Sequence, residues 1–303
     1  MRTSLPSFVA GALCATVLVA VPATALGGRT AAVDPNPNVY DGTSPTLTLA
    51  PVEFVVGSSL DSTQPIPPEM CATWPWNTNV PLRMRWSGSD ATSALAGYDV
   101  WGSGPKWDGV SKLVDGTSAT SYVFAATNYG GDCGGGGEYD NHYWVSARDN
   151  KGNSATSHRV GQLVSVWDEN GVSPNVGDVK LTVTKTGTWT AASCTCFNTG
   201  KTLYSTAKNA AISYKVTADG PGQTFGVVME KASNRGTVNI SVDGGTPTAV
   251  STYAATTAHR VVVSQKALSR GTHTIKLTNA GTTGHGRIDV DALMLTYPVN
   301  DFS

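Results

Sequence analysis

Along most of the chain, Val, Ile, Tyr, Trp and Thr alternate with polar residues in short runs, and Gly, Asp or Asn closes each run. A period of two puts successive side chains on opposite faces of a strand. No stretch carries apolar residues at helical spacing between helix caps, so the pattern predicts an all-β protein. In a first block, from about Pro51 to Val166, it predicts strands at 52–56, 82–86, 96–101, 118–124, 143–147 and 161–166. In a second, from about Lys180 to Tyr297, it predicts strands at 181–184, 211–216, 224–229, 237–242, 249–253, 259–263, 273–277 and 288–295. Roughly seven short strands suit an immunoglobulin-class β-sandwich, and eight suit a jelly roll. The expected architecture is therefore two β-sandwich domains, over residues 47–170 and 171–303.

The first residues break this pattern. Arg2 precedes an apolar run from Phe8 to Val21, and Ala23-Thr24-Ala25 offers a small-residue cleavage site, which reads as a signal peptide over residues 1–25. The run is shorter than the about 20 residues of a bilayer span. Pro35, Pro37 and Pro45, among polar residues without hydrophobic period, predict a flexible tether over 26–46. The chain is thus expected to be secreted, extracellular or cell-surface associated, with no transmembrane segment once the leader is removed.

An exported chain changes how its cysteines are read. Cys14 leaves with the leader, and the even set Cys71, Cys133, Cys194 and Cys196 points to disulfides. Three pairings are formally open; Cys71 with Cys133 and Cys194 with Cys196 keeps each bridge inside one block. A zinc site needs further Cys or His at fixed spacing, which is not found. Only 14% of residues are charged, the net charge is −1, and no basic stripe occurs, which argues against nucleic acid as a partner. With 33 Gly and many Thr and Ser, such a surface fits glycans better.

Particular motifs sharpen both blocks. Trp86, the run Gly97-Tyr98-Asp99-Val100, and the run Tyr143 to Asp149 followed by Gly152-Asn153 resemble the second, third and sixth strands of a fibronectin type III domain. That family often places a tyrosine four residues before the Val145 position; Asn141 stands there instead, and the expected Cys71–Cys133 bridge is the alternative pin. In the second block, Gly187-Thr188-Trp189, Arg235-Gly236-Thr237-Val238, Val242-Asp243-Gly244, Gly271 to Ile275 and Arg287 to Ala292 resemble a galactose-binding-like domain of secreted bacterial proteins. The resemblance implies a jelly roll of the kind used as a carbohydrate-binding module.

Two groups of residues carry candidate recognition chemistry. Trp74, Trp76, Trp107 and Tyr129 fall on loops expected at one end of the first sandwich, where rings can stack on sugar C–H faces. The plainer reading has the three tryptophans sealing that end as a small satellite core. Glu230, Arg235, Tyr253, His259, His285 and Arg287 fall at strand ends of the second block, where guanidinium forks suit hydroxyls or carboxylates. Their plainer role is to satisfy loop backbone. Asp289 and Asp291 supply hard oxygens in the place where related jelly rolls hold structural calcium, although two aspartates fall short of six to eight ligands. No other cofactor is expected.

Recognisable nucleophile, metal-hydrolase and phosphate-cradle signatures are absent from the sequence, and Gly134 to Gly137 leads to Glu138 rather than to a Lys-Ser or Lys-Thr pair. The expectation is a secreted, non-catalytic protein that binds carbohydrate, such as cell-wall polysaccharide, or associates with the cell envelope. One alternative is an adhesive protein binding another surface protein. A second is a glycan-cleaving hydrolase or lyase whose carboxylates, for instance Glu230 and Asp289, meet only in the fold.

Overall fold

The computed structural model describes residues 40–60, 79–104, 109–127, 142–161, 164–173, 180–220 and 222–296. Trp74, Trp76, Trp107, Tyr129, Cys71 and Cys133 lie outside the described residues, as do the expected signal peptide and most of the tether. The described chain is almost entirely antiparallel β-strand.

The first unit is a sandwich of two sheets. In one, strands β1 (Thr46–Leu49) and β2 (Glu53–Phe54) run along one edge of β3 (Asn79–Ser89), and β6 (Ser121–Thr127) runs along the other. Pairing slips by one residue between Leu49↔Trp86 and Glu53↔Arg83. Pro51 lies in the slip, where its missing N–H breaks no ladder bond. The other sheet has the order β5 (Gly109–Thr117), β4 (Leu95–Gly104), β7 (His142–Asp149) and β8 (Ser154–Thr156), with β9 (Val160–Gly161) also on β7. Alternation decides what lies between the sheets: Leu82, Met84 and Trp86 from β3 meet Tyr98, Val100, Tyr143, Val145 and Ala147. Trp86 meets Tyr98 edge to face at 5.8 Å. On the outer surface, Trp101 stacks on Trp144 at 6.3 Å, flanked by Lys112 and Arg159 over the two rings.

The second unit is also a sandwich. Its five-stranded sheet has the order β11 (Thr182–Thr186), β14 (Ala211–Ala218), β19 (Gly271–Asn279), β16 (Thr237–Val242), β17 (Thr248–Ser251). The facing sheet has the order β12 (Thr190–Ser193), β13 (Lys201–Ser205), β20 (Ile288–Thr296), β15 (Thr224–Lys231), β18 (Ala258–Ala267). Its sixth strand, β10 (Val164–Asp168), pairs with β20 from Ala292 to Thr296, while β13 pairs with β20 from Ile288 to Val290. Between the sheets Ile212, Tyr214, Phe225, Val227, Ile275 and Leu277 are closed off from solvent.

The strand expected at 161–166 as the end of the first block is thus split, and its main part belongs to the second unit's sheet. Val164 and Val166 pack in the first core, whereas Trp167 packs in the second. The two units share apolar surface in the same way elsewhere. Val228, Val262, Ala292 and Met294, on the outer face of the six-stranded sheet, pack with Val52, Phe54 and Leu60 of the first unit. At the sheet edge, Gly57 N–H donates to Val262 O at 2.8 Å, Val262 N–H to Ser58 O at 2.8 Å, and Leu60 N–H to Arg260 O at 2.9 Å.

This joint rests on a close approach. A Cβ added at Gly226, in the middle of β15, would lie 2.8 Å from the Phe54 ring and 2.9 Å from Met294 Cε. Burying a ring the size of Phe54 contributes about 1.5–3 kcal/mol. Gly226→Ala is therefore expected to destabilise the protein by about 1–3 kcal/mol in urea unfolding. Combined with Phe54→Ala, which removes the clash with the ring and leaves only the flexible end of Met294, it should cost less than the sum of the two single changes.

On the far sheet an ion pair ties the turn after β16 to β19. Asp243, at φ 52°, accepts Thr274 N–H at 2.7 Å and His273 Nδ1 at 2.7 Å. The hydrogen bond to His273 holds the Asp243 carboxyl below its ordinary range, and the same bond raises the His273 imidazole. Asp243 thus stabilises above the ordinary carboxylate pKa and loses this as pH falls. His273 stabilises below the ordinary histidine pKa and loses this as pH rises through its raised value. NMR titration should give His273 a midpoint above about 6.5, returned toward that value by Asp243→Asn.

Candidate functional site

The outer face of the six-stranded sheet is apolar only where the first unit covers it. Further along, the same face turns polar. Ile288 and Val290 point into the second core, so Asp289 between them points outward. In β15, Val227 and Met229 also point into the second core, so Glu230 after them points outward on the same face as Asp289; the extra residues at the register shifts belong to the neighbouring strands β18 and β20. The chain then turns at Ala232 to Arg235, where Arg235 N–H donates to Ala232 O at 3.1 Å. Gly236 follows because a Cβ there would sit 2.0 Å from His285 O.

That turn delivers Arg235 between the two acids. Its guanidinium bonds Glu230 Oε1 through Nη2 and contacts Asp289 Oδ2 through Nε, and all three side chains are buried. Arg287 closes on Asp289 from the other side, Nη2 to Oδ1 at 2.5 Å and Nε to both oxygens at 3.1 Å. Its guanidinium lies 3.9 Å over the Tyr204 ring. His259 Nδ1 sits 2.8 Å from Glu230 Oε2, and its ring meets Phe197 edge to face. Burial pushes the Asp289 carboxyl up, against the pull of Arg287 and Arg235.

Four of the six residues expected here, Glu230, Arg235, His259 and Arg287, join one network with Asp289. Tyr253 and His285 form a separate pair, rings edge to face at 5.2 Å, and His285 Nδ1 lies 2.7 Å from Ser233 O on the turn that carries Arg235. The rim groups are the open ones: the His259 side chain is 39% exposed, that of Arg287 26%, and Tyr253 is 48% exposed. Tyr204 and Phe197 enter the site without any sequence signal, from the segment 194–205. There Cys194 and Cys196 form a disulfide.

Metal chemistry is constrained by the same partners. Cys196, Glu230 and His259 offer atoms within 4.8 Å of one another, but the Cys196 sulfur is tied up in the disulfide, leaving too few ligands for zinc. Asp289 is taken by two arginines. Asp291, fully buried, accepts Asn198 N–H at 2.9 Å through Oδ1 and has no hydrogen-bond partner at Oδ2. Glu169, whose charge acts on Asp291, likewise has a buried Oε2 without a partner. Burial raises both acids. Of the two aspartates expected to offer calcium ligands, Asp291 keeps an oxygen available and Asp289 does not.

Arg235→Met leaves Glu230 and Asp289 buried around an apolar chain and is expected to cost about 3–5 kcal/mol at neutral pH in urea unfolding. The loss should shrink in acid. Without the guanidinium, burial keeps the folded-state pKa of Asp289 above its unfolded value, and such a group loses stability as pH rises.

No protein-family model matches the sequence, and no curated protein does. Among solved structures, a family 35 carbohydrate-binding module from Clostridium thermocellum is similar at 18% identity and a TM-score of 0.30, over 38% of this chain and 91% of that one. A family 35 module from Cellvibrio japonicus is similar at 16% identity and a TM-score of 0.33, over 46% of this chain and 98% of that one. A family 36 module in complex with calcium and xylotriose is similar at 19% identity and a TM-score of 0.27, over 44% and 99%.

Proposed function

We propose that the protein is a secreted, non-catalytic carbohydrate-binding protein that recognises polysaccharide at the Glu230–Arg235–Asp289–Arg287 network. The observation that carries this reading is a polar cluster fixed from beneath and open at its rim. Arg235 locks both acids, while Arg287, His259 and the Tyr204 and Tyr253 rings stand at the edge. Donors held in place before binding lose little entropy when a sugar hydroxyl replaces water, and aromatic rings supply the apolar contact. The first unit serves as a fibronectin type III-like support. Support for this comes from its two sheets, with β1 and β2 beside β3 and β6 in one and β5, β4, β7, β8 in the other.

The arginine between Glu230 and Asp289 favours binding over bond cleavage. A glycosidase needs one carboxyl free to donate a proton and the other free to attack or to activate water. Here one guanidinium bonds both acids. The remaining reading, an adhesive protein with a protein partner, has the partly exposed Trp101 ring, stacked on buried Trp144, in its favour.

Affinity electrophoresis of the full chain through soluble cell-wall and plant polysaccharides tests the proposal. Retardation by one glycan, lost in Arg287→Ala and in His259→Ala with folding intact, is the expected outcome. Unchanged retardation in both variants would move the site elsewhere, no retardation by any glycan would favour the protein partner, and released reducing sugar would show an enzyme.

A further inference from the structure

We propose that the first unit binds a calcium ion through Asp41, Asp90 and Asp149. These residues come from three separate places: the segment before β1, the turn after β3, and the end of β7 where the hairpin to β8 begins. One carboxylate oxygen of each lies within 4.8 Å of the others. Calcium at about 2.3–2.6 Å from each ligand spans about 4.6–5.2 Å between opposite oxygens, so the three fit on one coordination sphere.

The division of labour within each carboxylate points the same way. Asp41 Oδ1 accepts the Thr43 N–H at 2.9 Å and the Thr43 hydroxyl at 2.6 Å. Its Oδ2 is buried with no hydrogen-bond partner, in a residue only 7% exposed. Asp90 Oδ1 takes Thr92 N–H at 2.9 Å and Ser93 N–H at 2.6 Å, and no described donor reaches its Oδ2. Asp149 Oδ1 accepts the Lys151 and Asn153 N–H groups, each at 2.8 Å, and Oδ2 accepts Asn153 Nδ2 at 2.8 Å. Each aspartate thus fixes its own turn mainly through Oδ1, which leaves Oδ2 of Asp41 without a hydrogen bond.

Charge supplies the remaining argument. Among the described residues no Lys or Arg forms an ion pair with any of the three carboxylates. Three carboxylates meeting without a cation repel one another, and a buried anionic oxygen without a donor is costly. A hard divalent ion resolves both. It would also clamp the segment leading into β1, already held by Asn153 Nδ2 donating to Asp41 O at 3.0 Å, to the far end of the sandwich.

The test is calorimetric titration of the full, chelator-stripped chain with calcium, alongside its thermal unfolding in calcium and in chelator. Asp41→Asn and Asp90→Asn are each expected to bind one calcium fewer than the parent and to lose part of the calcium-dependent rise in Tm. Asp291→Asn, in the other unit, should keep this ion. Asp90 lies in an exposed turn, so its variant stays informative if Asp41→Asn fails to fold. Equal stoichiometry in the parent and the Asp90→Asn variant would overturn the site, as would a parent that binds no calcium. Magnesium binding as tight as calcium binding would overturn the choice of ion.

Discussion

The structure depends on a sheet that is buried on both faces. In an ordinary sandwich each sheet gives one face to the core and the other to water. Here the centre of the six-stranded sheet lies between two cores: Val227 and Leu293 face one, Val228 and Met294 the other. The Phe54 ring against Gly226 sets how closely the first unit can approach. Everything at the polar end of the sheet inherits its position from this arrangement, because β15 and β20 supply Glu230 and Asp289 as direct continuations of the doubly buried strands.

That continuity explains why the network is so strongly paired. Where the first unit no longer covers the face, the strands still carry little access to water, and an isolated carboxylate there is expensive. Arg235 and Arg287 supply opposite charge and hydrogen bonds together, and both are forks suited to carboxylate geometry. The gain lies less in net stability than in fixed position, since replacing a whole buried ion cluster by apolar groups is often neutral or better. For recognition, fixed position is the useful property.

The sequence made the all-β class and most of the interior strands readable, because strands with one wet face alternate: β14 runs Ile212, Tyr214 and Val216 inward with Lys215 and Thr217 outward. The strands it concealed are of two kinds. Edge strands such as β5 and β12, and the short β13 beside β12, carry mostly Gly, Ser, Thr, Ala and Lys and have no long apolar period. The doubly buried β15 and β20 were located, yet their nearly unbroken apolar runs were not read for what they imply, contact on both faces. β10 likewise closes the first block in the sequence pattern but is a strand of the second unit's sheet. At the site, the charged residues were visible as strand-end chemistry, whereas Tyr204 and Phe197 reach it only through β13 and the disulfide turn, which had no legible signal.

The order of strands in the six-stranded sheet carries a consequence for how the molecule forms. The strand in its middle, β20, is the last of the described strands, and β10, β13 and β15 all pair with it. A chain emerging from its N-terminus has no centre for this sheet until β20 is available. Because Val52, Phe54 and Leu60 pack on the same sheet, the first core is also incomplete until then. Such non-local pairing makes folding slow. It also makes folding a single late event in which Val52, Phe54 and Leu60 settle together with β20.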